Sequence, residues 1–205
     1  MKRIKDHALL YALIAKYCIN TYGREAGEER IRDITVMYGK QRGARMRAKT
    51  DADHEAADIT AYLIHGEWKG EPGENISEME YANDSTESHV FKCAWCDTWN
   101  HYGLMEYGRY YCRYIDQALC EGFDGSFSLH IPKMLSAGDD MCRFIWTEKA
   151  DAQRAAVRKA ELKDTYILPF DFHCEELLGC AEHVLCEAGD PDAVAKIRQE
   201  YEKTV

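Results

Sequence analysis

The hydrophobic spacing of this chain changes period after residue 74, and that change limits the folds open to it. Before it, apolar residues fall at helical intervals. Ile4, Leu10, Ile14 and Tyr17 mark a helix over 3–22 that Gly23 ends. A second helix is expected over 25–48, and a third over 54–66 with Asp51 or Asp53 as its cap. The turn-rich stretch 66–74 is a connector. Beyond it, Ile76, Met79, Tyr81, Val90 and Phe91 fit two short strands joined through the polar loop Asn83-Asp84-Ser85-Thr86-Glu87-Ser88. Helical spacing returns over 99–121, strands are expected over 126–131 and 141–147, and an Ala-rich surface helix over 149–162. Gly189-Asp190-Pro191 separates a closing pair of helices, 171–188 and 191–203. Helices, then strands, then helices, with no βαβ alternation, predict an α+β fold. It has a helical N-terminal part, a small antiparallel sheet with packed helices, and a C-terminal helix pair. A length of 205 residues suits a single domain, 1–205.

The net charge of −10 argues against a phosphate backbone or an anionic membrane surface as partner. A small-molecule substrate is the expected partner, with no nucleic acid and no membrane. The sequence does not set the oligomeric state. The opening Met1-Lys2-Arg3 and the apolar run after it resemble a signal peptide, but Lys16 interrupts the run and no small-residue cleavage site follows. It reads as an amphipathic helix. No segment approaches the roughly 18 apolar residues needed to span a bilayer. Nine cysteines, an odd number with no export signal, fit free thiols in a reducing cytoplasm better than a disulfide scaffold.

Chemistry is expected mainly between Cys93 and Phe144. Cys93-Ala94-Trp95-Cys96 is a CxxC, a pair that serves zinc or redox sites, or packs as two small hydrophobes, the reading favoured for Cys96. No second closely spaced pair follows it. A metal reading therefore needs a scattered set such as Cys93, Cys96, Cys112 and Cys142, with zinc or iron as the ion. Otherwise no cofactor is expected. On the next helix, His101, Met105, Gly108, Cys112, Asp116 and Leu119 share one stripe. Asp116 would be a costly buried carboxylate there, one turn from the Cys112 thiol and close to the space left by Gly108. His101 reaches Cys112 only if Gly103 interrupts the helix. In the strand after Gly138-Asp139-Asp140, Cys142 alternates with Arg143, so the two face opposite sides. His173, near the start of the penultimate helix, is a further candidate. Cys174, Cys180 and Cys186 do not share a face and read as packing residues. Arg42, Arg45 and Arg47 form either a solvated face or an anion site.

The ordered set of Cys93-x2-Cys96, Tyr111-Cys112-x3-Asp116 and Gly138-Asp139-x2-Cys142-x-Phe144 resembles the L-2-amino-thiazoline-4-carboxylic acid hydrolase family. The stretch Tyr38-Gly39-x2-Arg42-Gly43-x-Arg45-Met46 is similar to that family's helical region. The family's C-terminal His-rich helix is matched at His173, while Glu175 or Glu176 stands where a further histidine is expected. The resemblance implies hydrolytic opening of a cyclic amidine-like ring on the way to L-cysteine. In that reading the nucleophile is Cys112, or a water activated by Asp116 or His173; with Cys112 as nucleophile, Asp116 is the orienting base and Cys93 and Cys142 line the pocket. His101 or His173 supplies the leaving group's proton. Arg109, Arg113 or Arg143 suits the substrate carboxylate, and Glu106 or Asp116 the amidine. Gly-Asp-x2-Cys-x-Phe is also similar to a feature of vinyl-reductase-type small-molecule sensor domains. The alternatives are thus a cysteine-ligated metal protein and a non-enzymatic sensor.

Overall fold

The computed structural model describes residues 1–82 and 84–205; Asn83 of the expected polar loop lies outside the described residues. The fold is α+β, with eight α-helices and one four-stranded antiparallel sheet among the described residues. The helices are α1 (Ile4–Tyr22), α2 (Arg24–Ala52), α3 (Ile59–Ile64), α4 (Ala94–His101), α5 (Met105–Phe123), α6 (Ala152–Leu162), α7 (Phe170–Glu187) and α8 (Ala193–Thr204). The strands are β1 (Ile76–Tyr81), β2 (Thr86–Lys92), β3 (Leu129–Lys133) and β4 (Cys142–Trp146). Among the described residues no helix is long and apolar enough to cross a membrane. The chain divides into two compact units. One comprises Met1–Tyr38, Ala94–Ile115 and Pro169–Val205, and the other Gly39–Cys93 and Asp116–Leu168.

The first unit is helical and gathers α4, α7 and α8 around α1. Helix α1 is buried on nearly every side, from Ile4 through Ala15 to Cys18, which explains why its apolar run is denser than a surface helix needs. Asp6 accepts from the Arg3 backbone N–H at 2.7 Å to close its start, and Gly23, at φ 77°, ends it. Trp99 of α4 is fully buried, donates its indole N–H to the Ala8 carbonyl at 2.8 Å, and packs its ring over Gly108. Asp190, in the turn before α8, accepts from the Tyr17 and Tyr22 hydroxyls and from Lys196, pinning that turn to α1.

The second unit holds the sheet, in the order β1-β2-β4-β3. Thr86 of β2 faces Trp146 of β4, and Val90 faces Cys142. The core is apolar and largely aromatic, with Tyr62, Phe123, Phe127 and Trp146 packed around Met46, Ile59 and Cys120. Strand β1 is exposed along its whole length at the sheet edge. Where the last turns of α2 cross the end of α5, the contact is backbone on backbone. A Cβ at Gly43 would overlap the Leu119 carbonyl oxygen, and one at Gly122 would overlap the Lys40 carbonyl.

Four boundaries differ from expectation; one is the polar loop, whose Thr86, Glu87 and Ser88 belong to β2. Helix α2 runs on to Ala52, and α3 starts only at Ile59, capped by Asp58, which accepts from the Ala61 N–H at 3.0 Å, rather than by Asp51 or Asp53. The helix expected over 99–121 is two helices, because Gly103 takes φ 64° between α4 and α5. Strand β3 is displaced to Leu129–Lys133.

Two glycines give opposite predictions. Gly43→Ala forces backbone apart and is expected to destabilise by about 2–3 kcal/mol. Gly179→Ala, on the exposed face of α7 with nothing near its Cβ position, is expected to stabilise by up to about 1 kcal/mol from helix propensity. Urea unfolding midpoints of the two variants check the signs.

Candidate functional site

The first unit buries a row of polar ring atoms. His7 comes from α1, Trp95 from the first turn of α4, Tyr38 from α2 and His173 from the opening turn of α7. The Trp95 indole N–H donates to His7 Nδ1 at 3.2 Å. His7 Nε2 lies 3.2 Å from the Tyr38 hydroxyl, which lies 3.3 Å from His173 Nδ1. His7, Tyr38 and His173 are all at 0% exposure. Polar groups so placed are tolerable only when hydrogen-bonded. Tyr111 and Phe170 close over His7 edge-on, with ring centroids 5.7 and 6.2 Å away.

The second unit buries a carboxylate under cations. Arg42, Arg45 and Lys49 recur at steps of three and four on α2, so they share a face. That face meets Glu67, which is at 0% exposure. Arg45 grips both Glu67 oxygens, at 3.0 and 3.1 Å, and Lys49 donates to Oε1 at 3.0 Å. The Arg42 guanidinium lies 3.7 Å over the Trp68 ring, with its Nε 3.6 Å from Glu67 Oε2. Burial pushes the Glu67 carboxyl up, but Arg45, Arg42 and Lys49 outweigh it and hold it below its ordinary value. Arg47 turns outward to Asp51, at 2.9 Å.

Asp116 of α5 is the opposite case. It is half-buried and makes no hydrogen bond among the described residues. Withdrawal from water pushes its carboxyl from 3.8 up to about 6, with only the charge of Arg42 pulling the other way. It stands one turn beyond Cys112 on α5, and Cys112 is half-buried. The space left by Gly108 on that stripe is filled by the Trp99 ring.

The other candidates are spread through the fold. Cys142 is buried at the start of β4, where its sulfur accepts from the Leu135 N–H at 3.3 Å. Cys93 is half-buried just before α4, and Cys96 is buried in that helix's first turn. His101 is exposed at the end of α4, its ring edge-on to Tyr102. Glu106, Arg109 and Arg113 are exposed on α5, and Arg113 lies over the Tyr114 ring. Arg143 is held by Glu87 through two bonds of 2.7 and 2.9 Å. All nine cysteines are free thiols; Cys174 and Cys180 are buried and Cys186 is exposed. Asp53, Glu55 and His65 converge within 4.8 Å, but Arg158 pairs with both carboxylates and Tyr166 donates to Asp53. This is an ion-pair network. His7 and Glu67 lie outside the residues expected from the sequence to carry chemistry. His7 sits on the apolar stripe of α1 beside Tyr11 and Ile14, which is the signal that marks a buried histidine.

The family model of L-2-amino-thiazoline-4-carboxylic acid hydrolase matches residues 2–146. The match runs from α1 through β4 and takes in Cys93, Cys112, Asp116 and Cys142; α7, with His173, lies beyond it. It assigns this α+β chain to a class of hydrolases. The chain belongs to the L-2-amino-thiazoline-4-carboxylic acid hydrolase family. No curated protein and no solved structure matches it.

The protonated and ionised forms of Asp116 give a signed stability prediction. Its folded-state value of about 6 lies above the 3.8 of an ordinary carboxyl, so the folded state holds the proton more tightly. The resulting cost is absent below pH ~4, grows as pH rises, and is complete above pH ~6, where it reaches on the order of 3 kcal/mol. Asp116→Asn is therefore expected to stabilise the protein at pH 7.5, by about 1–3 kcal/mol, and to change little at pH 4. Urea unfolding at the two pH values checks this.

Proposed function

We propose that the protein opens a small thiazoline-type cyclic amidine by hydrolysis at C2, the chemistry its family is named for, on the way to L-cysteine. Asp116 carries the reading. A carboxylate poised near neutrality, without a hydrogen-bond partner, is suited to take a proton from a substrate or a water. Membership of a family named for that substrate supports the substrate class.

The step follows from the residue types. The Cys112 thiolate adds to C2 of the ring. The C2–S bond then breaks in preference to C2–N, because a thiolate is a far better leaving group than an amide anion. The sulfur departs as a thiolate, to which the neutral His173 ring N–H donates a hydrogen bond, and it takes its proton at the end of the cycle from Asp116. The enzyme is left with an isothiourea link from Cys112 to C2. A water that gives its proton to Asp116 attacks that carbon and releases Cys112, so one water is consumed and the product carries a ureido group and a free thiol. No oxidant, reductant or nucleotide enters.

Incubation with L-2-amino-thiazoline-4-carboxylate is expected to give a product heavier by one water, with a thiol that reacts with a thiol reagent. Cys112→Ser is expected to lose about a thousandfold or more in turnover with an unchanged melting temperature, and Asp116→Asn about a hundredfold or more. In the wild type, kcat/KM should rise with pH through about 6 as Asp116 ionises, and the Asp116→Asn residue of activity should lack that limb. Full activity in Cys112→Ser removes the nucleophile assignment.

A further inference from the structure

We infer that Trp95, His7 and Tyr38 are positioning residues that fix the tautomer of His173, leaving its proton on Nε2. The inference deepens the hydrolase reading and rests on it, since the His173 ring N–H there donates a hydrogen bond to the leaving sulfur.

The polarity starts at Trp95. An indole N–H can only donate, so His7 Nδ1, 3.2 Å away, must accept. A neutral imidazole carries one ring proton, and that of His7 is therefore on Nε2, the atom 3.2 Å from the Tyr38 oxygen. Tyr38 accepts there and has one proton of its own to place. His173 Nδ1, at 3.3 Å, lies where that proton can go. Accepting at Nδ1 puts the His173 proton on Nε2, on the far side of the ring from Tyr38. Each bond thus sets the direction of the next, and the row reads Trp95 to His7 to Tyr38 to His173 without a reversal.

Burial makes the direction persistent. With His7, Tyr38 and His173 all at 0% exposure, water cannot exchange for any of the three partners. A proton on His7 Nδ1 would face the Trp95 N–H. Tyr111 and Phe170 hold the His7 ring edge-on, so it does not turn over to avoid the conflict. The four residues come from four helices, α1, α2, α4 and α7, so the row is a product of the fold and not of local sequence. A neutral histidine that donates a hydrogen bond to a departing thiolate needs its proton on the nitrogen away from Tyr38, and a misplaced tautomer is among the costlier faults a histidine site can have.

The test uses the full chain labelled with 15N. Long-range 1H–15N correlation spectra report which ring nitrogen of each histidine bears the proton. His7 and His173 are both expected as the Nε2–H form. Tyr38→Phe removes the hydroxyl and is expected to give a mixture of tautomers at His173, with kcat for ring opening down at least about tenfold and KM within about twofold. Trp95→Phe keeps an aromatic ring and removes only the donor; it should mix the tautomers at His7, and it serves should Tyr38→Phe not fold. An Nδ1–H form of His173 in the wild type overturns the inference, as does an active wild type whose kcat is unchanged in both variants. A wild type that does not open the ring overturns the hydrolase reading itself, and with it the part of the inference that concerns catalysis.

Discussion

Helix α2 buries a polar face, and much of the structure exists to satisfy it. Thr35, Tyr38, Arg42 and Thr50 are all at 0–1% exposure on one helix. Each such group costs on the order of several kcal/mol if it loses water and gains nothing. Thr35 gives its proton to the Ile31 carbonyl, so the Tyr11 hydroxyl is the donor to Thr35, at 2.7 Å. Tyr38 meets two histidines, and Thr50 meets His65 at 3.2 Å. Arg42 has the Trp68 face and the Glu67 charge. A helix whose hidden side is this polar specifies its neighbours closely, because an apolar partner of the right size would leave its donors unmet.

The same feature explains what was legible in the sequence. Period and punctuation marked the elements well. The break at residue 74, the Gly189-Asp190-Pro191 stop and the alternation of Cys142 against Arg143 all have their counterparts in the structure, because periodicity reflects which face is buried. Polarity was the poorer guide. Arg42 and Arg45 left open a solvated face, since charged residues are seldom buried unless paired, and the partner that buries them is a single glutamate in a turn-rich connector. Nothing local to Glu67 announces that role. Likewise Gly103 could be read as a helix break or as a tolerated glycine, and only the fold of α4 and α5 decides it.

Glu67 and Asp116 show how one unit sets two carboxylates to different purposes. Both are withdrawn from water, and Arg42 acts on both. Glu67 has two further cations within hydrogen-bond distance, and its charge is secured. It is committed as a structural anion, and its proton affinity is too low to make it a useful base near neutral pH. Asp116 has the weaker field and no hydrogen bond to its carboxylate, so its charge is held at a cost. Local rules broken without compensation tend to mark functional positions, where stability is given up for reactivity. Environments that push two like groups apart also assign their roles. On that argument Asp116, and not the more deeply buried Glu67, is the carboxylate to which proton transfer belongs.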